Sequence, residues 1–145
     1  MGFFNAMDTA ASGLTAQRLR LDVISQNMAN VNTTRTADGG PYKRKAVIFE
    51  QVQNENSFSS ILKQKKQNGG NGVRVARVVE DETQGPLVYD PTHEDANAQG
   101  YVEMPNVNTV DEMVNMISAS RSYEANVTSF NTMKSMFAKA LEIGK

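Results

Sequence analysis

Apolar positions along the chain follow three rhythms, and each predicts a different kind of element. From Phe3 to about Val31 they recur at helical spacing. Met7, Leu14, Leu21 and Met28 stand seven apart, with Ala10, Gln17, Ile24 and Val31 three further on. Gln17 is the one polar residue on this ladder, so the pattern predicts a coiled-coil-type seam on a long helix. Gly13 costs that helix roughly 1 kcal/mol relative to Ala but permits close approach of a neighbour.

A second helical rhythm runs from Asn108 to about Ile143. Pro105 and Asn106 stop the preceding segment, and Asn108 is placed to cap the helix N-terminus. Asp111 and Glu112 put negative charge in the first turn, where the helix dipole favours it. Met116, Tyr123, Phe130 and Phe137 form a seven-residue ladder, with Met133 and Ala140 completing its other half. Val110, Met113, Val114 and Ile117 read as the same stripe slightly rotated, the drift expected of a 3.6-residue helix set against a 3.5-residue repeat. Gly144 follows as a helix stop.

Between the helices, from Thr34 to Val107, the rhythm changes to strands and turns. Lys43–Val52 ("KRKAVIFEQV") and Val73–Val79 ("VRVARVV") have extended character. "GPLVYDP" and "GYVEMP" read as two short strands, each ended by proline. Gln53–Asn71 is polar and reads as a variable loop. The expected organisation is residues 1–33 and 108–145 as two parts of one helical core, with 34–107 as a β-rich insertion. The fold class is therefore α+β.

Length changes the picture. A compact globule of 145 residues has a radius of gyration of roughly 15 Å. The two helices would be about 43 and 50 Å long at ~1.5 Å per residue. They are expected to pair as an antiparallel, coiled-coil-like hairpin in an elongated molecule. Packing is expected through Met7, Leu14, Leu21, Ile24, Met28 and Val31 on the first helix. On the second it is expected through Met113, Ile117, Tyr123, Val127, Phe130, Met133, Phe137 and Leu141. Two helices cannot cover all the apolar surface they offer, and a monomer rarely tolerates the surplus. Self-assembly through the terminal helices follows.

Composition removes other classes. With 15 basic and 16 acidic residues, the basic excess of a nucleic-acid binder is missing. The clusters "YKRK" and "KQKK" read as solvated edges or subunit contacts. No cysteine is present, which excludes disulfides and thiolate chemistry. The N-terminus lacks the basic and apolar regions of a signal peptide, and no run approaches the ~20 apolar residues of a membrane span. No cofactor or small-molecule substrate is expected.

Catalytic patterns are sparse. His93 stands beside Asp90, Glu94 and Asp95, a set that would suit a small metal-dependent enzyme, but a lone histidine among turn carboxylates reads first as solvated. "NGGNG" lacks the lysine of a phosphate-binding loop and reads as a tight turn. The helix end "DVISQNMANVNT" is odder, because asparagine competes with the helix backbone for hydrogen bonds. Asn27 and Asn30 become candidates for amide contacts between subunits, while Asn32 and Thr33 mark where the helix stops. A cytosolic coiled-coil adaptor or export chaperone remains a second reading.

The stretch Ala11–Thr36 resembles the N-terminal signature of the bacterial flagellar rod and hook axial family, an S-G-L-x-A-x-x-x-R-L-D-V helix ending in N-x-A-N-x-N-T. Ser12, Gly13, Leu14, Ala16, Leu21, Asp22, Val23, Asn27, Ala29, Asn30, Asn32 and Thr33 carry the match. "VYDPTHEDANAQGYVEMPNVNTVDEMVNMISASRSYEANV" and the ending "KALEIGK" are similar to the family's proximal-rod members. The resemblance implies a structural subunit of the basal-body rod, a hollow shaft that transmits torque and serves as an export conduit. It implies export by the flagellar type III apparatus without a cleaved signal. Implied partners are copies of the chain, other proximal- and distal-rod proteins, and the membrane-ring and export-gate components at the rod base.

Overall fold

A computed structural model describes residues 3–37, 39–52 and 72–143. Helix α1 spans Phe3–Ala29 and helix α2 spans Thr109–Ile143. Strands β1 (Lys45–Gln51), β2 (Val73–Glu80), β3 (Leu87–Tyr89) and β4 (Tyr101–Glu103) lie between them in sequence. The α+β class holds. The expected loop at Gln53–Asn71 and the stop at Gly144 lie outside the described residues. No helix among the described residues is long and apolar enough to cross a membrane.

The strands form two separate two-stranded ladders, β1 with β2 and β3 with β4. Both are antiparallel. The Val52 N–H donates to the Gly72 carbonyl and the Asp81 N–H to the Arg44 carbonyl, each at 2.8 Å. In the second ladder Leu87 faces Glu103, Val88 faces Val102 and Tyr89 faces Tyr101. Val102 is buried and holds one face of that ladder against the protein. Side-chain turns end the strands: Asp81 accepts hydrogen bonds from the backbone and hydroxyl of Thr83, and Asp90 does the same for Thr92.

The chain divides into two compact units, each taking part of both helices. The first comprises residues 1–19, 49–76 and 119–145, and the second residues 20–48 and 77–118. Within the first, the helix segments run antiparallel: the rings of Phe4 and Phe137 lie 6.2 Å apart, and Gly13 lies against the amide of Asn126. Ser12 donates its hydroxyl to the Thr9 carbonyl at 2.7 Å and accepts the Val73 N–H at 3.1 Å. The Ser12–Gly13 pair therefore meets the start of β2 on one side and α2 on the other.

In the second unit α1 ends with 3.0–3.4 Å turn bonds through Asn30, Val31 and Thr33. The Asn108 side chain caps α2, accepting the Val110 N–H at 2.9 Å as its residue type predicts. Asn106 ties neighbouring loops together. Its amide donates to the Asp81 and Thr83 carbonyls, and its oxygen accepts the Arg44 N–H.

Candidate assembly interface

The most buried polar side chains among the described residues are Asn27 and Glu112, both fully inaccessible. They meet at the centre of the second unit. Asn27 Nδ2 donates to Glu112 Oε2 at 3.0 Å and to the Lys45 carbonyl at 2.8 Å. Its Oδ1 accepts the Tyr42 hydroxyl at 3.0 Å and the Lys45 N–H at 2.9 Å. Arg44 closes the other side, with Nε and Nη2 donating to Glu112 Oε1 at 2.9 and 2.8 Å. Burial raises the Tyr42 phenol above its ordinary range, and the negative charges of Glu80 and Glu112 add to the effect.

This hub corrects three expectations. Asn27 has no amide group left for another subunit, because both donors and both lone pairs are used inside the chain. Glu112 is more than a dipole-complementing first-turn acid; it is the buried partner of Arg44. The "YKRK" cluster is no uniform solvated edge, since Tyr42 is buried and Arg44 is engaged. Asn30 turns back on its own helix, donating to the Gln26 carbonyl at 2.8 Å and accepting the Thr33 hydroxyl at 3.2 Å. Asn32, Asp22 and Ala29 are exposed.

The apolar ladders divide unexpectedly. On α1 the buried face carries Ala10, Gly13, Ala16, Val23 and Asn27, mostly small residues. Met7, Leu14, Leu21 and Met28 are half-buried on a shoulder, roughly 110° around at ~100° per residue. Ile24 is buried and Val31 half-buried.

On α2 the split is wider. Glu112, Ala119 and Tyr123 face the protein, with Val127, Phe130 and Met133 half-buried. Val110, Met113, Val114 and Ile117 fall roughly 150° away and are exposed, Val110 by 67% and Val114 by 61%. They are no drifting continuation of the packed seam, but a second apolar face. Met136, Phe137, Leu141 and Ile143 are also exposed at the far end of α2.

The His93 cluster turns to other work. Asp95 accepts the Thr34 hydroxyl at 2.8 Å and lies 3.8 Å from Arg35, while His93 Nδ1 accepts the Asp95 N–H at 3.1 Å. Among the described residues no group of three or more potential ligands is gathered for a metal ion. The hydrogen bonds from Thr92 hold the Asp90 carboxyl below its usual range.

Known proteins match this chain from end to end. Residues 7–35 match the family model described as flagella basal body rod protein, and residues 98–143 that described as flagellar basal body rod FlgEFG protein C-terminal. The flagellar basal-body rod protein FlgC of Borreliella burgdorferi is 53% identical, covering 99% of this chain and 98% of the relative. FlgC of Bacillus subtilis is 50% identical and FlgC of Escherichia coli 43%, each over 100% of both chains. With full-length relatives at this identity, the chain belongs to the FlgC family of flagellar basal-body rod proteins.

Proposed function

We propose that this rod subunit enters the axial structure through its two helices, paired as an antiparallel coiled-coil-like hairpin whose outer faces are covered by neighbouring subunits. Rod proteins are structural, so no residue is given a catalytic role. The observation that carries the reading is the two-faced α2. One apolar side packs on its own chain, while Val110, Met113, Val114 and Ile117 stand exposed on the other. Helices that are apolar on opposite faces belong between two neighbours.

Two further features support this. The α1 ladder of Met7, Leu14, Leu21 and Met28 is only half-covered within the chain. Gln17 Oε1 is shielded from solvent with no hydrogen-bond partner among the described residues, and a donor from a neighbour would complete it. The neighbours are copies of this chain and other rod proteins, and the place is the proximal rod, beside the ring and export-gate components. There the assembled helices form a hollow shaft that carries torque and admits exported subunits. The chain itself reaches this place through the flagellar type III apparatus.

Ile117→Asp tests the reading directly, because Ile117 is exposed and its replacement leaves internal packing alone. The variant chain is expected to keep wild-type thermal stability and to be missing from isolated basal bodies. Normal incorporation with normal swimming would overturn the assignment of that face.

A further inference from the structure

Two surfaces on the outside of the second unit are chemically unlike. The first lies on the β3–β4 ladder, where Leu87, Tyr89 and Tyr101 are exposed, Tyr89 by 65%. Register and strand alternation put all three on one face. Tyr89 is nevertheless held in place. Its ring meets that of Tyr101 edge-on, with centroids 5.2 Å apart. Its Cε2 lies over Gly100, where an added Cβ would come within 3.0 Å of it. Gly100 also has a φ of +80°, a conformation that favours glycine. The backbone is thus shaped to seat an aromatic ring that faces outward. A fixed, projecting tyrosine loses little conformational freedom on binding, which is what an interface anchor requires.

The second surface is an open recess of about 510 Å³ at the start of α2, lined by Arg44, Asn106, Asn108, Asp111, Val114 and Asn115. That volume falls within the range of roughly 300–1,000 Å³ typical of binding pockets. Val114 is its apolar wall and belongs also to the exposed stripe of Val110, Met113 and Ile117. Asp111 is exposed, and its carboxylate makes no hydrogen bond or ion pair among the described residues. The recess therefore presents one apolar wall and one carboxylate acceptor without a partner among the described residues. They stand on a rim of Arg44, Asn106, Asn108 and Asn115, which already hydrogen-bond within the chain. A group with a flat apolar body and a single donor at its tip fits the wall and the carboxylate together, and a tyrosine side chain is such a group.

We propose that Tyr89 of one copy seats in the α2 recess of the next copy. Its ring covers Val114, its hydroxyl donates to Asp111, and Leu87 lies beside it on the stripe of Val110, Met113 and Ile117. This rests on the assembly reading above and adds to it a contact between the β3–β4 ladder of one subunit and α2 of another. The occupant is a second copy because one chain carries both halves of the match. The halves differ, so the contact is head-to-tail, and head-to-tail contacts that do not close generate open helical arrays, the architecture of a rod.

The chain has no cysteine, which allows a clean test by paired cysteines. Basal bodies are isolated from cells whose only copy carries Tyr89→Cys and Val114→Cys, then treated with a short bis-maleimide. The expected result is a ladder of dimers and higher multimers of this chain, with monomer alone in either single variant. Monomer alone from incorporated double variant would overturn the proposal. So would a product containing only a different rod protein, or a dimer from one single variant. If the double variant does not enter basal bodies, Leu87→Cys with Ile117→Cys is read in the same way, and absence of multimers from both pairs also counts against the contact. Absence of the unmodified chain from basal bodies would instead sink the assembly reading itself.

Discussion

The side-chain amide of Asn27 pairs with the main chain of Lys45 as a neighbouring strand would, donating to its carbonyl at 2.8 Å and accepting its N–H at 2.9 Å. One residue on α1 thereby completes the edge of β1. Glu112 and Tyr42 take the amide's other two positions, so helix end, strand start and α2 are joined at one point.

Asn27→Ala would leave the Lys45 backbone, the Tyr42 hydroxyl and part of Glu112 buried without partners. Each such group costs about 1–3 kcal/mol, and partial relaxation brings the expected loss to about 3–5 kcal/mol. Asn27→Asp keeps the shape but sets a carboxylate against Glu112 and the Lys45 carbonyl, so its loss should be at least as large. Urea denaturation of the purified chains measures both. A midpoint unchanged by Asn27→Ala would contradict the hub.

Tyr42 supplies a pH signature. Its phenol is raised above the ordinary value of 10.0, first by burial and then by Glu80 and Glu112. The folded chain therefore holds this proton more tightly than the unfolded chain does. That contribution is complete below pH 10.0 and is lost as pH rises through the higher folded-state value. Tyr42→Phe should be less stable near neutrality, because Asn27 loses a donor. Its stability should then fall less steeply than wild type above about pH 10. Parallel curves for the two proteins would show that Tyr42 is not the group responsible.

Much of this architecture was legible in the sequence, and the parts that were not share a cause. Both helices, the Asn108 cap and all four strands follow from local spacing and turn chemistry, which act over a few residues. Partner choice acts over many more. Arg44 in "YKRK" looked like one of several surface cations, and its pairing with Glu112 spans 68 positions. Asn27 looked available to another subunit for the same reason. The apolar period on α2 reports that a face is covered but is silent about who covers it. Val110, Met113, Val114 and Ile117 therefore read as a drifting continuation of the internal seam, though they lie on the opposite side. On α1 the large residues drew attention to the ladder, whereas small Ala10, Gly13 and Ala16 are the ones buried, with Gly13 against Asn126.

Gly85 tests how tightly the β3–β4 ladder is built. A Cβ at this position would collide with the Met104 carbonyl, a backbone atom with no rotamer to escape by. The same crossing carries the hydrogen bond from the Met104 N–H to the Pro86 carbonyl at 3.0 Å. Gly85→Ala should therefore cost about 2–4 kcal/mol, although alanine is normally the mildest replacement. The thermal midpoint measures this, and a wild-type value would show that the ladder shifts freely.

Half-buried and exposed positions on the helices should separate folding from assembly. Leu21 and Phe130 are half-buried against their own chain, so an aspartate at either would place a charge in an apolar seam at a cost of several kcal/mol. Both variants should lose stability and incorporation together. Ile117→Asp alters only an exposed face, so it should lose incorporation while the isolated chain stays as stable as wild type. Thermal melts and immunoblots of isolated basal bodies, made on all three variants, give the comparison. Normal swimming by Leu21→Asp or Phe130→Asp would remove the seam from the mechanism. An Ile117→Asp chain as unstable as the other two would mean that this face already has a partner within its own chain.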